Sequence, residues 1–368
     1  MHGKNPCFIV IALCFLNAHL EICQARVSKK EASKKKLCFT VIGDIGGVPH
    51  YPYSTWNQRK VADEMAKIMS KKDCRFIVAL GDNFYNSGVK DVHDKRFSQT
   101  FEKVYTKKFH YVPWYFVAGN HDHYSNVSAQ IAYSKVSPRW QFPHFFHSKV
   151  HKIPGTDKSV HAIFIDTTLL SHICEKNRRD NEPLVHGQLQ WITNELKKSK
   201  SDYLIVAGHH PILSAGAHGN SPCLMTKLKP LLEKYDVTAY FSGHDHNLQH
   251  ISDPKSNVAY FVSGSGNFYN GWHSNARKLP KGSLRFFQGL SGGFALMDLS
   301  DKDGELTFID SDGKHLYNTK IKRRDRQTDK REAHNEKTDL LKNFFLHNKQ
   351  TDVVSEFWKW FKPIRLRR

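Results

Sequence analysis

No CxxC spacing occurs among the seven cysteines of this 368-residue chain, which excludes zinc-ribbon and thioredoxin-type chemistry. Nor does any stretch reach bilayer-spanning length, since the apolar run Cys7–Leu16 is too short to cross comfortably. Internal repeats and low-complexity blocks are absent. Acidic residues are in short supply: 35 Asp and Glu stand against 55 Lys and Arg, a formal net charge of +20. That balance suits an acidic partner such as nucleic acid, anionic lipid, a sulfated glycan or a phosphorylated substrate. The core carries no recognised nucleic-acid motif, so no nucleic-acid partner is expected. With 39% hydrophobic and 12% aromatic residues, the chain is not disordered as a whole.

Residues 1–25 combine Lys4, the apolar run and a small-residue ending at Ala25, which predicts a cleaved signal peptide; a signal anchor is the alternative. Export would remove Cys7, Cys14 and Cys23 and leave Cys38, Cys74, Cys174 and Cys223 in an oxidising compartment. Cys174 and Cys223 flank the least regular part of the chain and are the expected disulfide. Cys38 and Cys74 open two apolar runs, where free buried thiols and a bridge are equally reasonable. Asn126-Val127-Ser128 is a glycosylation acceptor consistent with secretion, or with an acidic lysosome-like or vacuolar compartment. After a basic linker, residues 26–36, a folded domain is expected over 37–323. The tail, 324–368, ends in aromatics and cations that suit an anionic membrane, a polyanion or plain solvation.

Within the domain, apolar patterning predicts strands at Leu37–Ile42, Phe76–Leu80, Tyr115–Ala118, Ala162–Ile165, Tyr203–Ala207 and Val237–Phe241. Helices are expected at Thr55–Met69, Asp94–Tyr105, Gly187–Lys198 and Leu224–Tyr235, and residues 174–186 read as an exposed loop. Strands dominate beyond Tyr260. Such a sequence of elements predicts a mixed α/β protein with two sheets packed face to face and helices outside.

Five strands end in polar signatures: Gly43-Asp44, Gly81-Asp82-Asn83-Phe84-Tyr85, Gly119-Asn120-His121-Asp122, Gly208-His209-His210 and Gly243-His244-Asp245-His246. Ligand sites of α/β proteins lie at the carboxyl ends of strands. Asp44, Asp82, Tyr85, Asn120, His209, His244 and His246 offer oxygen and imidazole without thiolate, a donor set suited to iron, zinc or manganese. A carboxylate with two oxygens can bridge two metals, and Asp82 is the candidate. In an extended segment His244 and His246 would share one side.

These motifs, in this order, resemble the calcineurin-like metallophosphoesterases, and within them the purple acid phosphatases of the small animal tartrate-resistant type. Asp44-Ile45-Gly46 in place of Asp-x-His, and Tyr85 three residues after Asp82, carry the narrower likeness. The resemblance covers roughly residues 37–322. It implies a four-layer αββα sandwich and an acid phosphatase that hydrolyses phosphate monoesters with a metal-bound hydroxide. It further implies ferric iron on Asp44, Tyr85, His246 and Asp82, and iron(II), zinc or manganese on Asp82, Asn120, His209 and His244. His121 and His218 match the two non-ligand histidines that grip phosphate and assist the leaving group, although His218 also reads as a solvated loop residue. A monomer acting on phosphate esters is expected, with a dinuclear phosphodiesterase or nucleotidase, or a non-catalytic anchor, as alternatives. Related phosphatases carry a protease-sensitive loop where Arg178 and Arg179 stand.

Overall fold

The computed structural model describes residues 35–106, 109, 112–174 and 182–324. The expected signal peptide, the Arg178-Arg179 loop and all but the first residue of the tail lie outside the described residues.

Fourteen strands are present among the described residues: β1 (Leu37–Ile42), β2 (Phe76–Ala79), β3 (Trp114–Phe116), β4 (Trp140–Gln141), β5 (His147–Lys152), β6 (Ser159–Phe164), β7 (Tyr203–Ala207), β8 (Ala239–Ser242), β9 (Leu248–Ser252), β10 (Ala259–Ser263), β11 (Leu284–Gln288), β12 (Gly293–Leu299), β13 (Gly304–Asp310) and β14 (His315–Ile321). They form two seven-stranded sheets, ordered β14-β13-β12-β1-β2-β3-β4 and β11-β9-β10-β8-β7-β6-β5. Both are mixed. β1, β2, β3 and β4 run parallel, as do β6, β7, β8 and β10, while the outer pairs are antiparallel.

Side-chain alternation explains the layering. Phe39, Val41, Phe76, Val78 and Leu80 of one sheet meet Ala162, Phe164, Ile205, Ala207 and Phe241 of the other in a central core. The residues between them, Ile42, Ile77 and Ala79, turn outward onto Val61, Met65 and Met69 of the helix Trp56–Lys72. On the far side Leu204 and Val206 pack on Ile192 and Leu196 of the helix Glu182–Lys198 and on Leu224, Leu228 and Leu232. Strands buried on both faces read as continuous apolar runs, and that is why they were legible in sequence.

Several expectations need correction. The helix placed at Asp94–Tyr105 is a single π-helical stretch, Phe97–Glu102, because Asp94 spends both carboxylate oxygens on the amides of Lys90 and Arg96 in a turn. Leu224–Tyr235 is two helices, Pro222–Lys227 and Lys229–Lys234. Pro230 has no amide hydrogen to continue the ladder. The helix expected from Gly187 already starts at Glu182, which shortens the exposed loop predicted to run to 186. Arg324, assigned to the tail, is buried and donates to the carbonyls of Tyr235, Ser199 and Ser201, so it belongs to the domain. Strands β5 and β14 escaped notice because their edge positions leave them half solvated and polar. Both open cysteine questions close: Cys174–Cys223 and Cys38–Cys74 are disulfides, the second tying β1 to the segment before β2.

Three histidines away from the polar strand ends make stability depend on pH. Burial pushes His147, His151 and His250 each down to about 4. Unfolded, these rings titrate near 6.5. Between pH 6.5 and about 4 the unfolded chain therefore binds more protons than the folded one, and stability is lost as pH falls. The thermal midpoint is expected to decline across that window. His151 stacks on Phe76 at 4.1 Å, so His151→Phe keeps the stack and removes one titrating ring. Discounted for the ring's partial exposure, the variant's gain should be on the order of 2–4 °C larger at pH 4.5 than at pH 7.5. Superimposable pH profiles for variant and parent would remove His151 from this account.

Candidate metal centre

The parallel strands of both sheets end at one edge, and the predicted donors meet there. β1 delivers Asp44, β2 delivers Asp82 and Tyr85, β3 delivers Asn120, β7 delivers His209, and β8 delivers His244 and His246. The turns that aim them are tight: Asp44, Asp82 and His244 all adopt left-handed backbone conformations, at φ 58°, 50° and 68°. Positive φ is uncommon for non-glycine residues, and three of the six described examples in this chain fall at these strand ends. The segment around His244 is accordingly bent rather than extended, so the two histidines converge through this turn and not through strand alternation. Glycines make room for the acids. A β-carbon at Gly119 would collide with the Asp82 carboxylate, and one at Gly243 with that of Asp44.

The donors form two groups that meet at Asp82. In the first, the Tyr85 hydroxyl lies 2.9 Å from Asp44 Oδ1 and 2.9 Å from His246 Nε2, and His246 Nε2 lies 3.5 Å from Asp44. In the second, His209 Nε2 is 3.0 Å from Asn120 Oδ1, 3.2 Å from His244 Nδ1 and 3.4 Å from Asp82 Oδ1. Asp44, Asp82 and His209 also lie together within 4.8 Å.

The chemistry of this set fits bound cations. His209 Nδ1 donates to the Leu80 carbonyl at 2.8 Å, so in the neutral ring Nε2 carries the lone pair. That lone pair faces an amide oxygen, a carboxylate oxygen and another ring nitrogen, a cluster of acceptors that a cation between them would satisfy. Burial pushes His244 well below the ordinary imidazole range, keeping it in the neutral form that ligates. The same effect pushes Asp82 up to about 6, with Asp44 adding to the rise and His209 opposing it. Burial and the carboxylates of Asp44 and Asp82 hold the Tyr85 phenol far above its usual range, so a phenolate there requires strong positive charge beside it.

His121 and His218 stand beside this set. The His121 amide donates to Asp82 Oδ1 at 3.0 Å while its ring remains partly exposed, 4.0 Å from Asp82. His218 packs over His244 with ring centroids 4.1 Å apart, its side chain 54% exposed. Its Nδ1 lies 2.9 Å from Asp245 Oδ1, and that hydrogen bond raises the imidazole above its usual value against the opposing effect of burial.

Sequence reasoning missed the residues that hold the ligands in place. Asp122 is fully buried and accepts from the amides of Gly119 (2.8 Å), Asn83 (3.1 Å) and Phe84 (3.2 Å), which clamps the loop after β3 onto the loop after β2. Asp245 accepts from the amide of His218 at 3.0 Å and from the Ser214 hydroxyl. His123, read as structural or exposed, lies 2.7 Å from Asp166. His210, given no role, brings a ring nitrogen within 4.8 Å of those of His209 and His244, and its Nδ1 lies 3.0 Å from the Thr167 hydroxyl. The signal for the acids was present as the unassigned aspartates of GNHD and GHDH. At Asn126, Oδ1 accepts from the Ala129 amide and Nδ2 donates to Lys90 O, capping the helix Val127–Tyr133. A glycan would replace one Nδ2 hydrogen and leave the other for Lys90.

Comparison with known proteins agrees with this geometry. The family model for calcineurin-like phosphoesterase matches residues 38–248. Human tartrate-resistant acid phosphatase type 5 is 43% identical over 309 residues, covering 81% of this chain and 95% of the relative. Purple acid phosphatase 4 of Arabidopsis thaliana is 31% identical, covering 84% and 90%. A solved structure described as "GAP50 the anchor in the inner membrane complex of Plasmodium" superposes with a TM-score of 0.69 at 27% identity, covering 79% of this chain and 90% of that one. The chain belongs to the calcineurin-like phosphoesterases, in the purple acid phosphatase branch.

Proposed function

We propose that this protein is an acid phosphatase hydrolysing phosphate monoesters at a dinuclear centre, in the secretory pathway or an acidic compartment reached from it. The convergence of all seven donors at one strand edge, with Asp82 between two groups, is the observation that carries the reading. Asp44, Tyr85, His246 and Asp82 would hold ferric iron, whose hardness suits anionic oxygen. Asp82, Asn120, His209 and His244 would hold iron(II), zinc or manganese, which accept neutral imidazole and amide. When bound, the metals supply Lewis acidity and a source of hydroxide below neutral pH.

The chain's own residues orient the ester and manage its protons. His121, fixed at the backbone by Asp82, grips a phosphoryl oxygen from one side. His218, kept cationic by Asp245, delivers a proton to the leaving oxygen from the other. Two disulfides suit export into an oxidising compartment. Likeness to the Plasmodium anchor supports a second, non-catalytic reading, which the retention of every donor weighs against.

Metal analysis and a visible spectrum test the proposal. The oxidised protein is expected to carry two metals and a visible charge-transfer band, and Tyr85→Phe to lose the band while keeping its fold. An unchanged spectrum in the variant would overturn the Tyr85 assignment; a metal-free, inactive wild type would favour the anchor.

A further inference from the structure

Residues 254–297 contain no Asp or Glu, yet carry Lys255, Arg277, Lys278, Lys281 and Arg285. The same stretch exposes large apolar side chains. Tyr269 is 50% exposed, Trp272 73% and Leu290 82%. They form one surface with Trp56, which is 67% exposed. Thr55 Oγ1 donates to Asn267 Oδ1 at 2.6 Å and Asn57 Nδ2 to Asn267 O at 3.0 Å, locking the Trp56 turn against the loop that bears Tyr269 and Trp272. Leu290 closes over Gly271, where an added β-carbon would lie 3.2 Å from its Cδ2.

This rim borders the metal edge. Asn270 N donates to His246 O at 2.7 Å, and Asn275 reaches Ala215 O and Gly216 O at 3.1 and 2.7 Å, so the loop runs from a metal ligand to the segment carrying His218. From there the chain runs away from the metal edge to the start of β11, where exposed Arg277 and Lys281 flank a shallow cavity of about 360 Å³ lined by Leu279 and Leu284. Lys60 Nζ lies 4.9 Å from the centre of the Trp56 ring but is paired with Asp312 at 2.6 Å, so the cations of this surface are those of the 277–285 stretch.

We propose that this rim docks the protein on an anionic phospholipid surface, with the metal edge held toward the membrane. Tryptophan and tyrosine prefer the headgroup level, where their rings are half buried, and arginine and lysine beside them pair with lipid phosphates. A polyanion such as a sulfated glycan would meet the cations but leave Trp272, Leu290 and Tyr269 in water. The exposed apolar area therefore favours lipid. Arg277 and Lys281, set over apolar leucines, match a phosphate headgroup joined to an acyl chain.

The test uses the full chain, residues 325–368 included, and vesicles of phosphatidylcholine alone or with phosphatidylserine. Co-sedimentation is expected with the mixed vesicles and to weaken in high salt. Neutralising one cation, Arg277→Gln or Lys281→Gln, should weaken binding roughly fivefold. Trp272→Ser combined with Leu290→Ser should weaken vesicle binding at least as much while leaving retention on heparin and the thermal midpoint unchanged. Parental vesicle binding by that double variant would place any lipid affinity outside the rim and overturn the proposal. So would failure of the parent to bind anionic vesicles, or a rim whose loss weakens heparin retention alone. Because vesicle binding is read without substrate, failure here is distinct from failure of the phosphatase assignment.

Discussion

Asp82→Asn is expected to cost both metals and nearly all phosphatase activity while the protein stays folded. The side chain is 1% exposed, stands between the two donor groups, and accepts from the His121 amide at 3.0 Å. Asparagine fills the same volume between the turn glycines but brings one acceptor oxygen and no charge, so it cannot serve both groups at once. Loss of a residue that merely supports a ligand typically costs about 10–100-fold in metal affinity or activity. Loss of the shared ligand should exceed that, with both metals leaving on dialysis. Elemental analysis alongside an assay at acid pH measures it. Two metals per chain and parental turnover in the variant would show that Asp82 does not bridge.

His218→Ala should separate chemistry from metal binding. The ring packs on His244 but contributes no atom to either donor group, so both metals remain. Loss of a general acid costs about 10²–10⁴-fold. That loss should be largest for alkyl phosphates, whose leaving groups need the proton, and small for activated aryl esters. Asp245→Asn gives the matching pH effect. The hydrogen bond to Asp245 raises His218, so the imidazole stays protonated through the acid range and activity falls as pH rises through its titration. Removing the carboxylate lowers that titration, and the alkaline limb of the pH–rate profile should move toward lower pH. Metal loss from His218→Ala, equal slowing of both ester classes, or an unmoved limb in Asp245→Asn would each withdraw the proton-donor role.

Much of the centre was legible because each donor follows directly on a buried parallel strand. An apolar run such as Leu204–Ala207 marks the strand, and the first polar residues after it fall at the sheet edge by chain geometry alone. The supporting residues were not legible in the same way. Asp122 sits two places beyond Asn120 and Asp245 one beyond His244, and only the turns show that they accept from Gly119, Asn83 and His218 instead of facing the metals. The half-polar edge strands β5 and β14 hid for the opposite reason, since one solvated face removes the apolar signal.

By itself, then, the sequence determined the buried strands and the donor types that follow them, because burial period and ligand preference are local properties of residue type. Tertiary structure decided which sheet each strand joined, that Cys38 pairs with Cys74, and that His244 enters the site from a left-handed turn. It also gathered Trp56, Tyr269, Trp272 and Leu290 onto one rim. Those outcomes depend on contacts between segments as far apart as 55 and 267, and such contacts are set by the packing of the two sheets rather than by anything written within either segment.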